Sequence, residues 1–152
     1  DEEAIRLAPG MALTLNGNAQ GFIADRIADQ LRAEGLDNIL VNTGEFRALG
    51  HMPDGAAWPV QLTTGGDVPL VNRALASSAA LGTTFDQAGK VGHILNPRTG
   101  TPAPATWQLV SISAPQAALA DALSTTACLL GDKAAVQALI GKFDQAKIET
   151  LA

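Results

Sequence analysis

Fifteen glycines and eight prolines cut this chain of 152 residues into short segments. Gly and Pro interrupt regular elements, so no stretch between them can grow into a long one. No apolar run approaches the length that spans a bilayer. Internal repeats and low-complexity stretches are absent from the sequence. Hydrophobic residues make up 47% of the chain and charged ones 16%, a balance that excludes disorder. A chain of this length buries a sizeable core without a disulfide or metal staple, and it reads as a single domain over residues 1–152.

Between the interruptions the pattern alternates between strand and helix. Ala12-Leu13-Thr14-Leu15 alternates like a strand and runs into Asn16-Gly17-Asn18, a turn that offers a helix N-cap. Ala19, Ile23, Ile27 and Leu31 then recur every four residues beside Phe22, which predicts a helix with that stripe toward the core and a stop at Gly35. Strands are predicted at 38–42, 46–49, 58–62, 70–77, 91–95 and 109–113, with loops or turns at 51–57, 63–67 and 96–100. The last third changes character. Pro115 suits the first turn of a helix over Gln116–Leu130, which Gly131 stops. Asp132 can cap a second helix from Lys133 to about Phe143, and residues 147–151 return as an edge strand. This order predicts an α+β fold, a mainly antiparallel sheet with packed helices.

Charge removes two classes of partner. Ten Lys and Arg against fifteen Asp and Glu leave a formal charge of -5 with no basic run. Phosphate neutralisation supplies most nucleic-acid affinity, so no nucleic-acid partner is expected, nor an anionic membrane surface. The one cysteine, Cys128, can form neither an internal disulfide nor a cysteine-based zinc site, and its apolar neighbours suit a buried thiol. No transmembrane segment is expected. The first residue is Asp1 rather than Met, which suggests a processed, truncated or excised chain.

Three places carry chemistry. In Asp121-Ala122-Leu123-Ser124-Thr125, residues four apart share one helical face. The oxygens of Asp121 and Thr125 suit a hard cation such as magnesium. The competing reading is a solvated Asp121 with Thr125 bonded back to helix carbonyls; against it, the helix is otherwise apolar and an unpaired buried carboxylate is costly. His93 precedes the turn Asn96-Pro97-Arg98-Thr99-Gly100, where a histidine can serve as general base or as a surface strand end. His51 has nothing around it to raise it above the surface alternative. Asn16 to Gly21 leads into a helix start, where free N–H groups can receive phosphate, yet it is no Walker loop or dinucleotide fingerprint. Thr43-Gly44-Glu45 can bring backbone close to a ligand or simply turn the chain.

These pieces, in this order, resemble the ApbE family, the FAD:protein FMN transferases. Gln20-Gly21-Phe22-Ile23-Ala24-Asp25 is similar to the family's lysine-glycine-aromatic-x-x-aspartate segment. Leu40 to Glu45 resembles its strand and glycine pair with an acidic residue. Trp58-Pro59-Val60 and Ala76-Ser77-Ser78-Ala79 are similar to two further blocks. His93 to Gly100 matches a His-Ile-x-Asp-Pro-Arg-Thr-Gly block, and Ala120 to Thr125 matches Ala-Asp-Ala-Leu-x-Thr. The sequence departs from the pattern at Gln20 in place of lysine, at Glu45-Phe46, at Ala79 in place of glycine and at Asn96 in place of aspartate.

The resemblance implies a specific reaction. The family cleaves FAD, moves FMN onto a threonine or serine hydroxyl of a target flavoprotein and releases AMP. It implies magnesium held by Asp121, Thr125 and the backbone carbonyl of Ala19, with His93 as the base. Gln20, Asp25, Gly44, Glu45, Ser78, His93 and Ile94 become the expected FAD contacts. The matched blocks belong to the C-terminal part of the family's chain, a T-fold-like half. The family's N-terminal half, which packs on the flavin ring, has no counterpart among them. Family membership further implies a periplasmic location, lipid-anchored in a full-length precursor, and self-association is an expectation for an apolar face left uncovered. The alternative is a truncated, non-catalytic flavin- or magnesium-binding module, or a maturation partner of a redox enzyme.

Overall fold

A computed structural model describes residues 4–152. Among them, three helices, α1 (Ala19–Ala33), α2 (Ala117–Ala127) and α3 (Lys133–Ile140), accompany seven strands. The strands are β1 (Ile39–Asn42), β2 (Phe46–Leu49), β3 (Trp58–Gln61), β4 (Asp67–Leu70), β5 (Ala74–Ser78), β6 (Val110–Ala114) and β7 (Lys147–Leu151). Five form one antiparallel sheet in the order β1-β2-β5-β6-β7, and β3 pairs with β4 as a separate hairpin. The α+β class expected from the sequence is therefore present.

Strand alternation distributes the core over both faces of the sheet. On β5, Ala74 and Ala76 pack with Ala24 of α1 and with Ala117 and Ala120 of α2. Between them, Leu75 turns to the other face and joins Ala48, Val60, Val68 and Leu70 under the β3–β4 hairpin. Val110 and Ile112 of β6 meet Leu123 and Ala127 of α2 and Val136 and Ile140 of α3. Asp132 caps α3, its side chain accepting from the Ala135 N–H at 2.8 Å. Its position before the helix predicts that role.

Four expectations change. Residues 12–15 form no strand: their side chains are exposed and no neighbouring strand pairs with them. The stretch 70–77 is two strands, because Asn72 takes a φ of +50° and turns the chain from the hairpin into the main sheet. Residues 91–95 make only the isolated bridges Thr84–Gly92 and Leu95–Pro102, within a long connection from β5 to β6. Gly92 lies so close to Ala80 that a Cβ would collide with its carbonyl oxygen, and Pro97 follows. Helix α2 ends at Ala127, not Leu130, and α3 ends at Ile140, not Phe143.

Helix α1 corrects the reading of its own apolar stripe. Its buried residues are Gly21, Ala24 and Ala28; of the expected stripe, Ile27 and Leu31 pack partly buried against Val41 and Leu49, whereas Ile23, with Phe22, is about half exposed. The reason lies in α2. A Cβ on Gly21 would collide with the carbonyl oxygen of Ala117, so the two helices meet backbone to backbone. Only small side chains fit between them.

Candidate active site

Helix α2 crosses β5 and β6 and carries Asp121 and Thr125 to the end of β5, where Ser78 leaves the sheet. The turn before α1 closes on the same point: a Cβ on Gly17 would stand 3.3 Å from Thr125 Cγ2. Glu45 enters from the β1–β2 turn and His93 from the long connection. Together they enclose a cavity of about 850 Å³ whose lining includes Gln20, Glu45, Ser78, His93, Ile94, Asp121 and Thr125. Its rim is apolar, with Leu15, Phe85 and Leu95 exposed beside it.

Asp121 is buried, and its Oδ2 accepts the Gly21 N–H at 3.0 Å. That N–H is one of those a helix start leaves without an internal partner. No protein donor reaches the second oxygen among the described residues. Burial pushes the Asp121 carboxyl above its ordinary range, and the Gly21 N–H opposes the shift. Glu45 is buried too, and its Oε2 accepts the Ser77 N–H at 3.2 Å. Burial first, then the Asp121 charge, raises its pKa from 4.5 to about 8, against the Ser77 N–H.

His93 is fixed by one carbonyl. Its backbone N–H and its ring Nδ1 each lie 3.0 Å from Thr83 O. A carbonyl only accepts, so in the neutral ring Nδ1 carries the proton and Nε2 keeps its lone pair.

Thr125 settles the choice the sequence left open about its hydroxyl. It does not bond back to the helix; its Oγ1 lies 3.2 Å from Ser78 Oγ. The neighbouring Thr126 does bond back, donating to Ala122 O at 2.7 Å. That is the usual fate of a threonine inside a helix.

Three expected residues stand outside the cavity lining. Ala19 is the first residue of α1 and half-buried. Gly44, with a φ of +104°, lies beside the lining: a Cβ there would fall 2.8 Å from the Gln20 amide nitrogen. Asp25 is taken up elsewhere. Its Oδ1 accepts from Ala117 N at 2.9 Å and from Arg47 Nε at 3.1 Å, and its Oδ2 accepts from Ala118 N at 2.9 Å. It caps α2 from the neighbouring helix. Sequence reasoning missed Thr83, which orients His93, and Ser124, which lies inside the Asp121–Thr125 segment and bonds Ser78 Oγ at 2.8 Å.

The chemistry of the lining is one-sided. Two carboxylates face the cavity and no Lys or Arg lines it among the described residues. Nor do three or more His, Cys, Asp or Glu side chains gather anywhere among them to hold a metal. Beside Asp121 the oxygens at hand are the Thr125 hydroxyl, backbone carbonyls and the Glu45 carboxyl, the hard donors a cation such as magnesium prefers. A second concavity of about 530 Å³ lies on the outer face of α1, around Phe22, Ile23 and Ile27.

The family model described as the ApbE family matches residues 1–149. A FAD:protein FMN transferase of Haemophilus influenzae is 31% identical over 140 residues, covering 85% of this chain and 40% of that protein. Among solved structures, the apo form of the flavinyl transferase ApbE of Pseudomonas stutzeri superposes with a TM-score of 0.68 at 30% identity, covering 80% of this chain and 39% of that one. The ApbE protein of Thermotoga maritima gives a TM-score of 0.77 at 27% identity, over 95% of this chain and 51% of that one. The chain thus spans about two fifths of the length of the first of these relatives.

Proposed function

This chain belongs to the ApbE family, and from that premise we propose that it is the C-terminal, single-domain part of a magnesium-dependent FAD:protein FMN transferase. The observation that carries the reading is the convergence of Asp121, Thr125 and His93 on one cavity. The reaction moves FMN from FAD to a threonine or serine hydroxyl of a target flavoprotein. The acceptor oxygen forms a bond to the FMN phosphorus, the bond from that phosphorus to the bridging oxygen breaks, and AMP leaves with that oxygen. His93 Nε2 takes the hydroxyl proton, and Thr83 O holds the ring in the tautomer that can do so. Asp121, Thr125 and the backbone carbonyl of Ala19 would hold the cation. Magnesium, when bound, offsets the charge on the pyrophosphate oxygens.

The lining supports the need for that cation. A pyrophosphate entering beside Glu45 and Asp121 meets no Lys or Arg among the described residues. The polar contacts to FAD in this reading are Gln20, Glu45, Ser78 and His93, with the Ile94 side chain beside them. Gly44 supports Gln20, and Asp25 acts from the α1–α2 junction. A periplasmic location, with a lipid anchor in the precursor, belongs to the same reading. No helix among the described residues is long and apolar enough to cross a membrane. Self-association through the exposed Phe22 and Ile23 face belongs to it as well.

The test is incubation of the chain with FAD, magnesium and a flavoprotein acceptor. AMP is quantified, and the mass of the acceptor is followed. Magnesium-dependent AMP release with addition of FMN to the acceptor is expected, and it should vanish in Asp121→Ala. Labelling that survives Asp121→Ala would overturn the cation assignment. The short span of the relatives favours a second reading, a non-catalytic binding module. FAD retention without AMP release would select it.

A further inference from the structure

Thr125 and Thr126 are adjacent on α2, yet their hydroxyls have different fates. Thr126 donates to the carbonyl four residues back, Ala122 O. The corresponding carbonyl for Thr125 is that of Asp121, and it already receives Ser124 Oγ at 3.1 Å. A carbonyl oxygen can only accept, so the single Ser124 proton is committed there.

That commitment fixes every hydroxyl behind it. Ser78 Oγ lies 2.8 Å from Ser124 Oγ. With the Ser124 proton spent, Ser78 is the donor of that bond. Thr125 Oγ1 lies 3.2 Å from Ser78 Oγ. With the Ser78 proton spent in turn, Thr125 is the donor here. The chain runs in one direction, from Thr125 through Ser78 and Ser124 to the Asp121 carbonyl. Ser124 is fully buried, so water does not compete at its closed end.

We propose that Ser78 and Ser124 are positioning residues that aim the Thr125 proton away from the cavity and leave only lone pairs facing it. A hard cation requires an oxygen in that form; a hydroxyl pointing its proton into the site would repel it. Bonds in series polarise one another, so a cation at Thr125 strengthens the same chain that prepares its ligand. The inference rests on the reading of Asp121 and Thr125 as cation ligands, and it gives Ser78 a role through Thr125 in addition to any contact with FAD.

The experiment titrates the chain with Mn²⁺, a spectroscopically visible substitute for magnesium, and reads free Mn²⁺ by electron paramagnetic resonance without nucleotide. Wild type should bind and Asp121→Ala should not. Ser124→Ala and Ser78→Ala should each weaken affinity roughly 5- to 10-fold, the effect of about one hydrogen bond. Ser78→Thr, which keeps the hydroxyl, should stay within about twofold of wild type. Because the hydroxyls act in series, the Ser78→Ala/Ser124→Ala pair should be about as weak as either single change rather than the product of both. Circular dichroism identifies any variant that fails to fold, and Ser78 lies half-buried at the end of its strand, where truncation leaves no core void. Wild-type affinity in both alanine variants, or multiplicative losses in the pair, overturns the relay and leaves the cation site standing. Absence of binding in wild type overturns both.

Discussion

Asp25 and Asp121 do the same thing in opposite directions. Asp25, on α1, accepts the N–H groups of Ala117 and Ala118 at the start of α2. Asp121, on α2, accepts the N–H of Gly21 near the start of α1. Each helix thus satisfies the other's open end, and Asn18 contributes no side-chain cap to α1. The difference lies in what is left over. Asp25 adds Arg47 and uses both oxygens. Asp121 has one donor, a carboxyl pushed upward by burial and an oxygen no protein group reaches among the described residues. A carboxylate with every oxygen matched holds structure together; its half-matched counterpart, facing a cavity, is available to a ligand.

The sharpest way to break the comparison is to remove the contact both carboxylates depend on. Gly21→Ala drives a Cβ against Ala117 O. It should cost about 4 kcal/mol or more, or prevent folding, as read by urea denaturation. Asp25→Ala strips two caps and leaves Arg47 unpaired. The same measurement should show a loss of about 3 kcal/mol. Glu45 sharpens the contrast through pH. Its folded pKa of about 8 stands above the ordinary 4.5, so between those values the folded chain keeps a proton the unfolded chain releases. Stability without metal should therefore fall as pH rises from about 4.5 to about 8 and level off above, by an amount on the order of a few kcal/mol. Glu45→Gln should flatten that slope in thermal melts across the range. Asp121→Asn should change stability least, by about 1 kcal/mol or less and in either direction at about pH 8, because it removes a desolvated charge while its amide oxygen can still accept the Gly21 N–H. In the proposed reaction the same substitution should lower AMP release from FAD at least about 100-fold, the scale of losing one charge-stabilising group, which would separate Asp121 from Asp25.

Local spacing in the sequence singles out Asp121, whereas Asp25 is expected only as an FAD contact and its role as a helix cap goes unread, for a physical reason. The four-residue spacing of Asp121 and Thr125 puts both on one helical face whatever surrounds them. The partners of Asp25 lie 92 and 93 residues away in the chain, and no local pattern points to them. The α1 stripe misleads for the same reason. Large apolar residues normally mark the buried face, but close contact with α2 selects Gly21 and Ala24 and turns Phe22 and Ile23 outward, while Ala28 packs on Val41 and Leu49 of the sheet. Strand 46–49 and the edge strand at 147–151 were readable because turn residues delimit them. Residues 12–15 and 91–95 carry a strand's alternation without the neighbour that would make it a ladder. Ser124 was invisible as a site residue because a buried serine on an apolar helix gives no signal until its proton is followed.

The crossed caps also bear on the order in which this molecule is assembled. The Gly21–Asp121 bond closes a loop of 100 residues, and the Asp25 bonds close loops nearly as long. Contacts of such separation carry a large loop-closure entropy, and they form only once nearer pairings have shortened the effective path. Pairing of β1 with β2 and of β5 with β6 shortens that path, so the crossed caps, and the cavity they frame, are expected to form late in folding. A chain with only its local hairpins in place holds Asp121 on an unanchored helix and has no site to offer.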